Sequence, residues 1–431
     1  MSDQRRCAYA TTEPGESVTA MSTGEVIRRI RKSYGMTQRE LATLMGYTQP
    51  VVSQLENNAP CVHDVRMLRR VARALRVPLA ILVVDSDEEA DMDRRNFLRA
   101  SAVGAGTAAA SGTFTPRAVA ASPGSIRVGA GEVADIVAST NQIHELDLLV
   151  GGDRLCRVAA NGVRYARHLL DNGTYTEAVG RSLTSAAAEM MTAAGWVHFD
   201  AGQTTQARRY YAEATQTATA AGDDIAAAHA LLNASMISHG GGFAPSRHSA
   251  DSRPQEGVNL ATAASAAVRR HGGPRLRSYA ANCEASAHAA RGDTRATEDA
   301  IKRAHRAYES NHGDDPSWIY LPEAELAALT GWAYMRIRNH RKAREHLQVA
   351  VAGTTAWPRE NAGWRIKLAE NHILGGEIAE GCQLLIDHFD QINSVTSTRL
   401  RATLDSISDD IRQHSGVREV REFLGMRAAR V

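Results

Sequence analysis

Sixteen histidines, five cysteines and the carboxylate pair Asp314-Asp315 are the residues from which this chain of 431 would build a metal site or a nucleophilic centre. Their spacing argues against both. Fifteen of the histidines lie past residue 140, scattered with no HxxxH or HExxH pair. Cys7, Cys61, Cys156, Cys283 and Cys382 form no CxxC or Cys/His pattern, and an odd set of distant cysteines reads as free thiols in a reducing compartment. Asp314-Asp315-Pro316 reads as a turn, and Gly240-Gly241-Gly242 lacks the lysine and following helix of a phosphate loop. No nucleophile has a base near it in sequence. The chain therefore reads as a non-enzyme with no metal and no cofactor.

The chemistry that remains is charge. A net charge of +2 from 50 basic and 48 acidic side chains decides nothing; its distribution does. Between Met21 and Val84, ten basic residues (Arg28, Arg29, Arg31, Lys32, Arg39, Arg66, Arg69, Arg70, Arg73, Arg76) face four acidic ones (Glu25, Glu40, Glu56, Asp64), a local excess that suits a phosphate partner. Lysines are otherwise nearly absent, an arginine bias of the kind a GC-rich, actinobacterial-like genome gives. An apolar fraction of 43% with 23% charged residues is ordinary for a soluble protein. No apolar run reaches eighteen residues, and the stretch from Ala100 to Gly112 is too short and polar to span a membrane.

The elements that must position the basic residues are short helices. Thr23 can cap a helix carrying Val26, Ile27 and Ile30, and Gly35 stops it. Thr37 caps a second helix with Leu41, Ala42 and Leu44 inward, Gly46 supplies a left-handed turn residue, and Thr48 caps a third. A fourth, DVRMLRRVARALRV, brings Val65, Leu68, Val71, Ala72 and Leu75 to one face, and Pro78 opens a last turn with Leu79, Ile81 and Leu82. Helices this short need one another to be stable.

The string GMTQRELATLMGYTQPVVSQLENN, Gly35 to Asn58, resembles the helix-turn-helix of the Cro/C1-type repressors, also called the XRE family, and the likeness runs from about Gly24 to Val83. The resemblance implies a five-helix DNA-binding head whose third helix, Thr48 to Leu55, lies in the major groove. On that reading Gln49 and Gln54 pair with base edges, as a glutamine amide does with adenine. Gln38 meets a phosphate at the start of the second helix. Thr48 and Ser53 are further DNA candidates, with plainer roles open to them as helix cap and small packing residue. Pro50 removes a side chain that often touches bases. Glu56 and Arg31 match the family's structural ion pair, and the fourth helix's arginines are either a solvated face or phosphate contacts.

After the head, Asp85, Asp87, Glu88, Glu89, Asp91 and Asp93 form an acidic run, followed by an Ala/Gly/Ser/Thr stretch with Pro116 and Pro123. The whole of 85–128 reads as a flexible linker. Within it, Asp93-Arg94-Arg95-Asn96-Phe97-Leu98-Arg99 resembles a twin-arginine export motif, and Ala118-Val119-Ala120 offers a cleavage pattern. Export signals are N-terminal and this one is internal, so the first expectation is a cytoplasmic protein with no membrane partner. The alternative is an exported or membrane-associated interaction module that begins at Met92.

Residues 129–431 carry Ala-rich helical periodicity throughout. Two stretches align, AGWVHFDAGQTTQARRYYAEA from Ala194 and TGWAYMRIRNHRKAREHLQVA from Thr330. They resemble the tetratricopeptide repeat, in which small residues let paired helices approach while a large one fills between them. The resemblance implies about five helix pairs, interrupted by an insert from Gly240 to Gln255, with a concave face that holds peptides or proteins. Trp196, Tyr211, Trp332 and Tyr334 are the candidates for an effector groove, with repeat core as their plainer role.

The chain is thus expected to be all-α. A disordered tail (1–20) leads into a Cro/C1-type head (21–84), a linker (85–128) and a tetratricopeptide-like solenoid (129–431). Its order of parts resembles peptide-sensing regulators of Gram-positive bacteria. The implied partners are an operator in double-stranded DNA, a second copy of the chain, and a peptide or protein effector.

Overall fold

The computed structural model describes residues 22–59, 64–82, 126–240, 252–310, 313–316, 319, 321–395 and 397–429. The N-terminal tail, the acidic run, the twin-arginine-like stretch and most of the Gly240–Gln255 insert lie outside them. Among the described residues the fold is helical, apart from one pair of two-residue strands.

The head consists of α1 (Thr23–Ser33), α2 (Gln38–Met45), α3 (Gln49–Glu56), α4 (Val65–Leu75) and a 3-10 turn at Leu79–Ile81. Thr37 and Glu40 form a reciprocal capping box at the start of α2, and Gly46 ends that helix in the left-handed region at φ 74°. Val26, Ile27, Ile30, Leu41, Val52, Leu55, Val71, Ile81 and Leu82 are fully buried between the helices. Two expectations change. Ser22, not Thr23, caps α1, and the Thr23 hydroxyl instead donates to the Leu82 carbonyl at 2.9 Å, tying the first helix to the last turn. Leu44 points outward at 60% exposure and Met45 is buried in its place. With 100° per residue, Leu41, Ala42 and Met45 share one face of α2 and Leu44 falls well outside it.

The helical unit begins with β1 (Ile126–Arg127), three residues earlier than the expected 129, because β1 pairs in parallel with β2 (Gly173–Thr174). The helices that follow are α5 (Ala130–Val150), α6 (Cys156–Asn172), α7 (Glu177–Asp200), α8 (Thr204–Ala221), α9 (Asp224–Ser238), α10 (Pro254–His271), α11 (Pro274–Ala290) and α12 (Thr294–Tyr308). Then come α13 (Glu323–Arg336), α14 (His340–Gly353), α15 (Pro358–Leu374), α16 (Ile378–Asp387), α17 (Phe389–Asn393), α18 (Thr398–Ile411) and α19 (Arg418–Ala428). From α7 to α16 they pack as successive antiparallel pairs. The aligned stretches do the packing expected of them. A Cβ on Gly195 of α7 would stand 2.5 Å from the Tyr211 ring of α8, and one on Gly331 of α13 would stand 2.9 Å from Cγ of Leu347 of α14. Ala207, Ala214, Ala343 and Ala350 are fully buried at the same joints.

Two further contacts were not expected. The stack closes on itself, with α5 packed on both α7 and α15, and α18 packed on α7. The head is seated on this unit through α1 against α5 and the 3-10 turn against α6. One apolar cluster runs from Ile30 and Leu75 of the head into Ile143, Leu146 and Leu155.

Candidate nucleic-acid interface

Helix α3 is eight residues long and buries only Val52, Leu55 and Glu56. Its outer face is therefore free, and Gln49 and Gln54 are both exposed on it, with Ser53 half-buried between them. Pro50 sits in the first turn, where its missing N–H has no partner to lose. Thr48 occupies the N-cap position, yet its side chain makes no capping hydrogen bond.

Behind this face a chain of polar contacts reaches into the core. Arg31 Nε donates to Glu56 Oε1 at 2.5 Å and Nη2 donates to Oε2 at 3.0 Å, a bidentate pair with the carboxylate fully buried. Gln38 Nε2 donates to Glu56 Oε2 at 2.9 Å, and Gln38 Oε1 accepts from Gln49 Nε2 at 2.6 Å. Gln38, the residue expected at a phosphate, also ties the ion pair to Gln49. One Gln49 N–H is fixed, and its carbonyl oxygen and other N–H remain for a base edge. Burial alone would raise the Glu56 carboxyl, but Arg31, Gln38 and Arg28 together hold it below its ordinary value.

Sequence reasoning missed the far end of α3. Arg28 Nη2 donates to the Glu56 carbonyl at 3.0 Å and to Asn57 Oδ1 at 2.8 Å. Asn58, in the left-handed region at φ 55°, accepts from the Gly24 N–H at 2.8 Å. Gly24 lies so close to α3 that an added Cβ would be 2.4 Å from the Leu55 carbonyl oxygen. The only sequence signal was the pair Asn57-Asn58 after the helix. On α4, Arg66, Arg69, Arg70 and Arg73 are exposed, and the Arg70 guanidinium lies 5.3 Å above the Tyr47 ring in the turn before α3. Arg76 faces the other way, its carbonyl accepting from Gln142 of α5 at 2.6 Å.

The proposed effector residues are placed differently. Tyr211, Trp332 and Tyr334 are buried between paired helices, so they line no open face. Trp196 is half-buried and donates to Asp147 Oδ2 at 2.8 Å. The reason is packing within the repeat: Tyr211 fills the joint of α7, α8 and α9, and Trp332 and Tyr334 that of α11 to α14, so these three take the plainer role of repeat core.

Residues 27–82 match the helix-turn-helix family model, a span that takes in most of α1 and all of α2, α3 and α4. No curated protein matches the chain. The head is a helix-turn-helix DNA-binding domain, and among the described residues no helix is long and apolar enough to cross a membrane.

Proposed function

We propose that this helix-turn-helix protein is a sequence-specific transcriptional regulator whose helical unit pairs two copies on DNA and receives a peptide or protein effector. The observation that carries the reading is the exposed face of α3, where Gln49 is held by Gln38, which is held in turn by the buried Glu56. An ordered amide beside free helical surface is what base readout needs. The exposed arginines of α4 add a phosphate-binding charge without sequence information.

One head reads one half-site, and two heads at a fixed spacing supply useful specificity. The helical unit is the part large enough to hold them. The buried aromatic residues no longer serve as the effector site. A groove of about 940 Å³ between α5, α7 and the start of α9 takes their place, lined by Thr140, Asn141, Arg181, Ser185, Glu189 and Asp224 among others. Its lining mixes these charged and hydroxyl groups with apolar ones such as Val133, Val137 and Ile225, which suits an amphipathic peptide.

The test is selection of binding sites from randomised duplex DNA by the full chain. A regulator of this design enriches an inverted repeat with half-sites about one helical turn apart. Recovery of no common sequence, at a salt concentration where the chain still binds duplex, would reject the reading.

A further inference from the structure

The head and the helical unit meet at an unusual place. Arg29 of α1, its side chain 10% exposed, reaches out of the head and donates from Nη1 to the Leu149 carbonyl at 3.2 Å and from Nη2 to Ser394 Oγ at 2.5 Å. Leu149 lies at the end of α5 and Ser394 just after α17, 245 residues away. Two other side chains support the seat: Gln142 donates to the Arg76 carbonyl, and Arg154 Nη1 donates to the Ile81 carbonyl at 3.0 Å. Of these three head contacts among the described residues, the one made by Arg29 touches both ends of the helical unit.

Those same two ends are clasped to each other by buried charge. Asp200, at the end of α7 and fully buried, accepts from Arg359 Nη2 at 2.7 Å, from Arg399 Nη2 at 2.7 Å and from the Ser397 hydroxyl at 3.0 Å, all on Oδ1. Its Oδ2 accepts from the Gly152 N–H at 2.9 Å. Asp153 accepts from the Thr398 N–H at 3.1 Å and from Arg401 Nη2 at 2.8 Å. Arg359 and Arg399 both lie over the Trp196 ring, at 5.4 and 5.3 Å. Segment 147–153 thus supplies Leu149 to the head and Gly152 and Asp153 to the clasp. Segment 394–401 supplies Ser394 to the head and Ser397, Thr398, Arg399 and Arg401 to the clasp.

We propose that the helical unit is a two-state clasp held shut by Asp200, and that the head docks only on the closed state, with Arg29 sensing closure. When the joint opens, the two acceptors of Arg29 move apart and one guanidinium no longer spans them. The exposed face of α3 is free while the head is docked, so docking sets the direction in which α3 points and leaves it uncovered. By linkage, whatever favours a reoriented head favours an open clasp, and the reverse. This deepens the regulator reading by naming how the helical unit reaches the head, and it is tested without DNA.

The experiment is pulsed electron spin distance measurement on the full chain. One pair of labels, at Arg39 and Arg341, reports the head against the helical unit; another, at Gln203 and Gln413, reports the joint. Arg29→Ala should broaden the first distribution, roughly doubling its width, and through the linkage widen the second by much less. Asp200→Asn should broaden both. If Asp200→Asn prevents folding, Asp153→Asn loosens the same joint from its outer edge and is read in the same way. A narrow joint distribution in the clasp variant, or a broadened joint with the head pair still narrow, overturns the proposal.

Discussion

At the scale of single residues two carboxylates, the buried Glu56 and the half-buried Glu325, are held in opposite states. Glu56 is kept ionised by Arg31 and Gln38. Removing Arg31 leaves the buried carboxylate with only Gln38 and the part-exposed Arg28, 3.5 Å away, so Arg31→Ala should destabilise the head by about 3 kcal/mol, measured by chemical denaturation with a probe in α1 to α4. An unshifted transition would show that the pair carries no weight. Because its pKa is depressed, Glu56 contributes stability that is present above the ordinary carboxylate range and lost as pH falls through its folded value. Glu325 in α13 behaves the other way. Burial pushes its carboxyl up to about 8, with Glu360 adding to the rise and Arg359 opposing it. It favours the folded state at acid pH, and that contribution is lost as pH rises from the usual carboxylate value through about 8. Glu325→Gln should therefore raise the melting temperature above pH 8 and change it little at pH 5. An equal change at both pH values would place the charge elsewhere. The Arg31–Glu56 pair was legible in the sequence through the family likeness. Glu325 was not, since its environment comes from α15, across the stack.

Among the elements, caps and turns were the most legible features. Thr37, Glu40 and Gly46 announce α2 and its end because local backbone geometry demands those residue types. The outward Leu44 shows the limit, since an eight-residue helix has too few turns for its buried face to be fixed by pattern alone. The helix pairs were legible where a glycine met a large side chain, at Gly195 with Tyr211 and Gly331 with Leu347. Gly331→Ala should cost about 1–3 kcal/mol by overpacking that joint, read from denaturation of the full chain. A neutral substitution would mean that α13 and α14 separate easily. The strands at 126–127 and 173–174 carried no readable signal, being two residues each and set by the close approach of Gly173 to Val128.

For the whole molecule, the order of parts was legible and the arrangement was not. Asp200 lies 159 residues from Arg359 and 199 from Arg399, and no periodicity connects them. The pairing of heads remains a proposal with a clear consequence. Full-length protein should bind DNA carrying two half-sites at least about a hundredfold more tightly than DNA carrying one, through the effective concentration of the second head. Equal affinity for the two DNAs would mean that the chain acts as a single reader.

The central claim, that α3 reads sequence through Gln49 and Gln54, is tested most directly by quantitative footprinting of the selected site with the parent chain and with Gln49→Ala and Gln54→Ala. The account predicts that each variant loses about 1–3 kcal/mol of specific binding, about tenfold or more, while binding to unrelated duplex is nearly unchanged. Footprints as strong as the parent's in both variants would contradict it.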